Sequence, residues 1–360
     1  MAVDDTLTSA ELRHLVIRNI RSNLPPAWRV TEELEGFDKS SGRDVELGVA
    51  APDGRRVRLV IEIKHVIERR DVARLRELLS PSAVAPNDVP VVGARYIPPS
   101  VREALVDNRL SFVDATGNVR ISCDSPAFFV AVRGEDRDPW RRGRPRGTLK
   151  GEPAARVVRA LLDYHRSWRV RELIAASAAS SGATYRVLDY LQREDLVAKT
   201  HVGYEVTDWE RLLRAWSADA PFQTSTRVMA FIEPRGIDRF LENVSTKRHF
   251  PVAVTGSAAA REWASFAPVK SVFVYVSSIQ EASEQWGLRP NAAAPNVVLL
   301  EPRTLGDVPF RNSQSSAAGY PIAAPAQVAA DLLNGPGREP SAGEFLIDWM
   351  RRNERGWRRE

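Results

Sequence analysis

Several features that would decide a protein's class are scarce or missing in this sequence of 360 residues. It has one cysteine, Cys123, so neither a disulfide framework nor a zinc site made of cysteines can be assembled. No apolar run approaches the roughly 18 residues of a membrane span, and the aspartate-containing N-terminus is not that of a signal peptide. We therefore expect a cytoplasmic protein with no membrane partner.

The excess of basic over acidic residues is also small, because 51 lysines and arginines face 46 aspartates and glutamates and the formal net charge is only +5 at pH 7. A basic excess of this size suits a polyanionic partner, but only where the basic residues are clustered. The hydrophobic fraction is 43%, which is enough for two or three domains with cores in a chain of this length.

Residues 151–208 show the pattern of three helices followed by a ribbon. Apolar residues recur at helical spacing over 155–162 and 170–176. Ser180-Ser181-Gly182 is expected to turn the chain into a third helix over 182–193. In that helix Thr184, Val187, Leu188 and Leu191 would face inward. Residues 196–199 and 204–206, on either side of a turn, are typical of two paired strands.

This order is that of a winged helix-turn-helix, in which the last helix enters the major groove of DNA. A three-helix module for protein contacts is the alternative interpretation. The outward side of the third helix favours DNA, because it carries polar and basic side chains and no apolar stripe. The candidate DNA-contacting residues of this region are Ser181, Tyr185, Arg186, Arg193 and Lys199.

A basic segment precedes these helices. Residues 141–150 contain five basic residues and no acidic one, and the run Arg142, Gly143, Arg144, Pro145 and Arg146 resembles the core of the AT-hook. The resemblance implies an extended arm whose arginines lie in the narrow minor groove of A/T-rich DNA. A solvated linker is the alternative, since proline, glycine and arginine are common in linkers.

Residues 43–65 predict a β-hairpin with a defined register. Ala51-Pro52-Asp53-Gly54 fits a type I turn followed by a left-handed glycine, which pairs Ala51 with Arg55. Paired residue numbers then sum to 106, so Asp44 lies opposite Glu62. Alternation puts apolar residues on one face, with Glu62 and Lys64 on the other beside Asp44.

Aspartate on one strand and Glu-x-Lys on the next resemble the restriction-endonuclease-like PD-(D/E)xK nucleases, and the following β-β-α-β order resembles their Mrr-type branch. The resemblance implies that Asp44 and Glu62 hold Mg²⁺ and that Lys64 assists an attacking hydroxide. The glutamine usual in the family's next helix is not evident. No cofactor is therefore expected unless the site is active, and a structural charge cluster relieved by Lys64 and Arg58 is equally consistent.

A tight turn is predicted at Asp114-Ala115-Thr116-Gly117-Asn118, with Asp114 in a structural role. The segment around it resembles one found in winged-helix regulators of actinobacteria.

Residues 225–350 alternate short apolar strands with helices, an α/β pattern. Val254-Thr255-Gly256-Ser257 resembles the opening motif of nucleotidyltransferases, which holds nucleotide phosphates at a helix N-terminus. The Asp-x-Asp of those enzymes is missing, so we expect a scaffold or a ligand-sensing remnant. Gln327, Asp331 and the leucines after it resemble the C-terminal domain of AbiEi-like antitoxins of type IV toxin–antitoxin systems. Residues 351–359 are predicted to be a basic tail.

Together these patterns predict an α/β multidomain protein that is a sequence-specific double-stranded DNA-binding regulator, repressor- or antitoxin-like and associated with the nucleoid. A Mg²⁺-dependent endonuclease targeted by the winged helix is the alternative. A homodimer, a cognate toxin and a small-molecule effector are the further partners considered. The predicted domains are an endonuclease-like α/β/α domain (1–132), a basic linker (133–150), a winged helix-turn-helix (151–220) and a degenerate nucleotidyltransferase-like α/β domain (221–360).

Overall fold

The computed structural model describes residues 7–35, 44–79, 88–136, 138–140, 148–247, 249–291 and 293–360. The chain is mixed α/β and falls into two compact units. The first is Met1–Arg144 with Arg193–Asp195, and the second is Pro145–Gln192 with Leu196–Glu360. The predicted arm, Arg142–Arg146, lies outside the described residues. Among the described helices, none is both long enough and apolar enough to cross a membrane.

The first unit has the order αβββαβαβββ. Thr8 caps its first helix, because its hydroxyl accepts a hydrogen bond from the Glu11 N–H while the Glu11 carboxylate accepts one from the Thr8 N–H. The elements are α1 (Ser9–Asn23), β1 (Arg29–Glu35), β2 (Val45–Ala50), β3 (Arg56–Lys64), α2 (Asp71–Leu78), β4 (Asp88–Ala94), α3 (Pro99–Asp107), β5 (Ser111–Asp114), β6 (Val119–Asp124) and β7 (Ala127–Val132).

The strands β1 to β7 form one sheet in sequence order. The β3–β4 and β4–β5 pairs are parallel, and the other neighbours are antiparallel. Helix α1 packs on one face through Leu12, Val16 and Ile20. Helices α2 and α3 cover the other face. Both faces are therefore buried over the central strands, as expected where strands pair in parallel.

The register of the β2–β3 hairpin is confirmed. Val45 lies opposite Ile61 and Ala50 opposite Arg56, and both pairs sum to 106. Gly54 supplies the left-handed residue of the turn, with φ 84°, where a side chain would be strained. Val60, the large apolar residue on the polar face, is fully buried because it belongs to the core beneath α2 and α3.

Two strands of this sheet are not predicted by the sequence patterns. β1 carries four charged residues among its seven, Arg29, Glu32, Glu33 and Glu35. β7 reads Ala-Phe-Phe-Val-Ala-Val, so it has no alternation of polar and apolar positions. β1 and β7 are the two edge strands of the sheet. The residues that suit an edge strand depend on what packs beside it, so a simple alternation of polar and apolar positions does not reveal such a strand.

The second unit begins with the predicted helices and ribbon. Its elements are α4 (Glu152–Asp163), α5 (Val170–Ser177), α6 (Ser181–Arg193), β8 (Val197–Lys199), β9 (Tyr204–Val206), α7 (Trp209–Asp219), α8 (Phe222–Ser225), β10 (Thr226–Ile232), α9 (Ile237–Thr246), β11 (Val252–Thr255), α10 (Gly256–Ala260), β12 (Val272–Val276), α11 (Ile279–Trp286), β13 (Arg289–Pro290), β14 (Val297–Pro302), a 3-10 turn (Val308–Phe310), β15 (Gln314–Ser315), β16 (Pro321–Ile322), α12 (Pro325–Leu333), α13 (Glu339–Arg352) and α14 (Glu354–Trp357).

Seven of these strands form a mixed sheet in the order β13-β10-β14-β12-β11-β16-β15, and β8 and β9 form a separate ribbon. One hydrophobic core runs through the whole unit, from Leu161 in α4 to Leu346 in α13. The sequence predicted a domain boundary at residue 220. That boundary stays a prediction, and the hydrophobic core contains residues from both sides of it.

The C-terminal residues do not form the basic tail that the sequence predicted. Trp357 and Arg358 are buried. The guanidinium of Arg358 donates hydrogen bonds to the carbonyls of Leu161, Leu162 and Tyr164 at the end of α4. These carbonyls lack partners within the helix, and a cation there also opposes the negative end of the helix dipole. The end of the chain therefore holds α4 in place.

Candidate functional site

Helix α6 starts one residue earlier than predicted. Ala178 adopts the left-handed conformation with φ 54°, and this residue ends α5. The Ser180 hydroxyl accepts a hydrogen bond from the Ala183 N–H at 3.3 Å, and its carbonyl accepts one from Thr184 at 2.9 Å. Ala178–Ser180 thus form the turn expected at Ser180–Gly182, so Ser181 and Gly182 belong to the first turn of the helix.

The two faces of α6 are divided as the spacing predicts. Thr184, Val187, Leu188 and Leu191 are buried. On the other side, Ser181 and Arg186 are exposed, and the Tyr185 side chain is 56% exposed. Arg193 is half-buried at the helix end. The outward face of the first two turns thus presents a hydroxyl, a phenol and a guanidinium.

The Arg186 guanidinium extends back toward the start of α6. A Cβ built at Gly182 would lie 3.6 Å from its Nη1 atom. Because Gly182 has no side chain, the long Arg186 side chain can lie over it. This places the charge of Arg186 near the N-terminal end of the helix, the part of a recognition helix that meets base edges.

The ribbon after α6 is joined to a short third segment. Trp168 and Tyr204 exchange two backbone hydrogen bonds of 2.8 Å. Gly203 is required there, because a Cβ on it would lie 2.4 Å from the Trp168 carbonyl oxygen. Lys199 is exposed, with its Nζ 6.0 Å from the centre of the Tyr204 ring. The ribbon therefore holds Lys199 and the exposed Val202 in a fixed hairpin.

In the first unit, the three predicted acidic and basic residues lie at one end of the hairpin. The Asp44 N–H donates to the Ile61 carbonyl at 2.9 Å, and its Oδ2 accepts from the Ile63 N–H at 2.7 Å. Asp44 thus precedes β2 and is bonded to the two neighbours of Glu62 on β3, while the paired register itself ends at Val45 and Ile61. Glu62 is 5% exposed and forms an ion pair with Lys64 on the same strand.

Arg58 does not take the part predicted for it. Its guanidinium pairs with Asp88 at 2.7 Å and with Glu46 at 3.1 Å. These partners lie further along the hairpin and on β4, so Arg58 neutralises them instead of Asp44 and Glu62. Of the two cations predicted to relieve the charges of Asp44 and Glu62, Lys64 is the one that forms an ion pair with Glu62.

The chemistry of this donor set suits a hard cation, because both acidic side chains offer oxygen and Mg²⁺ is often held by only one or two carboxylates. Asp44 and Glu62 would be the residues that hold it. Within the described ranges, however, no group of three or more histidine, cysteine, aspartate or glutamate side chains is arranged to bind a metal ion. Any ion here would therefore depend on two carboxylates.

Asp114 has the structural role that its turn predicts. Its carboxylate is fully buried and accepts hydrogen bonds from the N–H groups of Ile97, Thr116 and Asn118. The Thr116 hydroxyl and the Asn118 amide add two more. Five donors occupy the two oxygens, so Asp114 serves the turn and has no lone pair directed at a ligand.

The nucleotidyltransferase-like motif is closed by a carboxylate of the same chain. Glu339 accepts hydrogen bonds from the Ser257 N–H at 3.1 Å and the Ser257 hydroxyl at 2.7 Å. Burial raises the pKa of Glu339, and the two bonds from Ser257 oppose that rise. The cavity beside it is about 10 Å³, roughly the volume of one water. A nucleotide phosphate has no room there.

The antitoxin-like motif forms a buried polar network. Asp331 accepts hydrogen bonds from the Thr255 hydroxyl at 2.6 Å, the Tyr275 hydroxyl at 2.9 Å and the Gln327 amide at 2.9 Å. The Gln327 carbonyl in turn accepts from Arg159 on α4 at 2.9 Å. Burial raises the pKa of Asp331 to about 6. The motif therefore ties α12 to the sheet and to α4.

The sequence did not reveal Glu339 or Arg159 as members of these clusters. Their partners are distant along the chain: Glu339 lies 82 residues from Ser257, and Arg159 lies 168 residues from Gln327. Arg159 lies on an otherwise apolar face of α4, and this position is the signal that could have indicated its contact with Gln327.

No protein-family model and no curated protein matches the sequence. A solved structure of EndoMS in its apo form is similar to part of the chain, with 16% sequence identity and a TM-score of 0.21. The match covers 30% of this chain and 46% of that one, so the chain spans less than half of that protein. A TM-score at this level does not establish a shared fold.

Proposed function

We propose that this protein is a sequence-specific, double-stranded DNA-binding transcriptional regulator. The observation that carries the proposal is the outward face of α6, where Ser181, Tyr185 and Arg186 are exposed on a helix whose other side is buried. Three helices followed by a ribbon are the order of a winged helix-turn-helix, which inserts its last helix into the major groove.

Each element would have a distinct part in this interaction. Arg186, whose guanidinium lies near the start of α6, would donate two hydrogen bonds to a guanine, the commonest base-specific contact of arginine. Lys199 on the ribbon would contact phosphate, which positions the protein without reading sequence. Arg142, Arg144 and Arg146 would lie in the adjacent minor groove. The antitoxin-like C-terminal motif supports a repressor, since the antitoxins that it resembles are DNA-binding repressors.

Replacing Arg186 with alanine is expected to weaken binding to the preferred DNA site by about 1–3 kcal/mol and to relax the preference at one base position. Fluorescence anisotropy with the preferred site and its single-base variants measures both effects. Arg239→Ala is the matched control, because Arg239 is an exposed helical arginine of the same unit, paired with Glu242. Equal weakening on every DNA sequence would place Arg186 on phosphate and contradict base reading.

A Mg²⁺-dependent endonuclease is the second candidate function, because Asp44 is bonded to the backbone of Ile63, next to Glu62, and Glu62 is paired with Lys64. In the PD-(D/E)xK nucleases that the hairpin resembles, a bound metal polarises the phosphate and generates the attacking hydroxide. Here the chain's own residues would hold the ion through Asp44 and Glu62 and place the Lys64 ammonium beside the reacting phosphate. Among the described residues, no third histidine, cysteine or acidic side chain is placed to bind a metal ion with Asp44 and Glu62. Glu62 is also paired with Lys64, so a structural charge cluster is favoured.

Supercoiled plasmid incubated with the protein and Mg²⁺ or Mn²⁺ is therefore expected to be bound and not nicked. Agarose electrophoresis of the deproteinised plasmid reads the outcome, with Glu62→Ala and Lys64→Ala proteins and EDTA as controls. Nicking that both substitutions and EDTA abolish would make the nuclease the correct assignment. Nicking that survives them would come from a contaminant, and it would leave the expected result standing.

A further inference from the structure

The first unit ends in an edge strand without the usual protection. An edge strand exposes unpaired backbone groups, and natural proteins guard such edges with charges, proline or very short strands. β7 is six residues long and contains neither charge nor proline. Among the strands described, β6 is its only neighbour.

The other sheet edges show the contrast. β1, at the far side of the same sheet, has four charged residues among seven. In the second unit, β13 is the dipeptide Arg289–Pro290 and β15 is the dipeptide Gln314–Ser315. Proline and shortness protect the second of these edges, and shortness protects the third. Among the edge strands described for the two seven-stranded sheets, β7 is the one with neither charge, proline nor shortness.

Apolar side chains are exposed along this edge. Phe129 is 57% exposed and Val132 is 40% exposed. Arg120 covers one side of the Phe129 ring, with its guanidinium carbon 4.9 Å from the ring centre. A groove of about 730 Å³ lies beside β7, and Val106, Ala131 and Val132 line it together with six charged side chains of the same unit. The surface next to Ala131 is therefore partly apolar and partly charged.

We propose that β7 pairs antiparallel with β7 of a second copy of this chain, forming one continuous sheet through a two-fold axis at Val130. Two copies related by such an axis present the same strand to each other, so the interface is self-complementary. The proposal concerns the first unit alone and does not rest on the proposed DNA-binding function.

Side-chain geometry selects the axis. Residues that lie opposite each other must point to the same face of the sheet, so in a symmetric antiparallel pair their numbers share parity. With the axis at Val130, Phe129 lies opposite Ala131 of the second copy and Phe128 lies opposite Val132. Phe129, the exposed phenylalanine of β7, then meets the small Ala131, which borders the groove, while Phe128 is buried in the core of its own unit.

Charge agrees with the same register. Exposed Arg133 follows β7, and exposed Asp124 on β6 is paired with Ala127 at the start of β7. The proposed register places Arg133 opposite Ala127 of the second copy, in the same row as its Asp124. Because the small alanine lies between them, the long arginine can extend across it to the opposite charge. This pair occurs twice, once at each end.

The first test is the mass of the full-length protein in solution. Light scattering after size exclusion is expected to give twice the chain mass of 40.1 kDa for wild type and the single chain mass for Phe129→Lys. Val66→Lys is the matched control, because Val66 is 59% exposed and also belongs to the first unit. This control should remain dimeric. A monomeric wild type, or a dimer that Phe129→Lys leaves intact, would overturn the proposal.

Cross-linking tests the register and remains informative if Phe129→Lys does not fold. Val130→Cys should form a disulfide-linked dimer on oxidation, because directly opposite Cβ atoms lie roughly 4.5–5.5 Å apart and a small backbone movement brings them to the spacing of a disulfide. Ala131→Cys should not, since its copies would be diagonal neighbours roughly 7–8 Å apart. Wild type, with its buried Cys123, controls for the native thiol. Cross-linking of Ala131→Cys in preference to Val130→Cys, or of neither, would overturn the axis.

Discussion

Replacing Arg159 with methionine is expected to lower the free energy of unfolding of the second unit by about 3–5 kcal/mol. Arg159 is 1% exposed, and its guanidinium bonds Asp163 at 2.8 Å together with the carbonyls of Val308 and Arg311. Without it, the Asp163 carboxylate stays buried with Asn312 as its remaining side-chain donor. Urea denaturation followed by the fluorescence of the buried tryptophans measures the loss.

Two further variants separate the charge effect from lost packing. Arg166→Met removes an ion pair with Glu172 in which both side chains are more than 40% exposed, and it should cost less than about 1 kcal/mol. The double variant Arg159→Met with Asp163→Leu removes both buried charges, so it should recover part of the loss. A double variant that is as unstable as Arg159→Met would show that packing, and not the unpaired carboxylate, is responsible.

Asp331→Asn is expected to remove a pH dependence of stability. Burial raises the pKa of Asp331 from its ordinary value of 3.8 to about 6 in the folded protein. The folded state therefore holds this proton more tightly than the unfolded state. The stabilisation that results is complete below pH 3.8 and is lost as the pH rises through about 6.

The full difference corresponds to about 3 kcal/mol, of which about 2 kcal/mol falls between about pH 4.5 and about pH 7.5. Over that range the unfolding free energy of wild type should fall relative to that of Asp331→Asn by this amount. The asparagine oxygen can accept the bonds from Tyr275 and Gln327, and its NH2 group can donate to the Thr255 hydroxyl in place of the bond that this hydroxyl donated, so the variant should fold. Asp348→Asn, at an exposed carboxylate, is the control. Parallel pH profiles for wild type and Asp331→Asn would contradict a raised pKa of the buried Asp331.

Local patterns predicted the hairpin and α6 in detail. The Asp-Gly turn fixes the register of β2 and β3, and period-two alternation then decides which face Glu62 and Lys64 share. In α6 the spacing of Val187, Leu188 and Leu191 alone separates the buried side from the exposed side. Such predictions succeed because the determining residues are neighbours in the sequence.

Contacts between distant segments could not be predicted in the same way. Ser257 after a strand correctly indicated a helix N-terminus, but nothing near it indicates that Glu339 lies there. Likewise, the charges of β1 and the apolar run of β7 follow from their places at the sheet edges, which depend on the whole topology. Arg358 looked like part of a basic tail because its partners, the last carbonyls of α4, are nearly two hundred residues away.

Selection from a random pool of double-stranded DNA with the full-length protein tests the central proposal most directly. The wild-type protein is expected to enrich a defined sequence, and the variant Tyr185→Ala with Arg186→Ala is expected to lose the preference at one or more positions of it. No enrichment by wild type, or the same sequence enriched by both proteins, would contradict the assignment of α6 as the element that reads DNA.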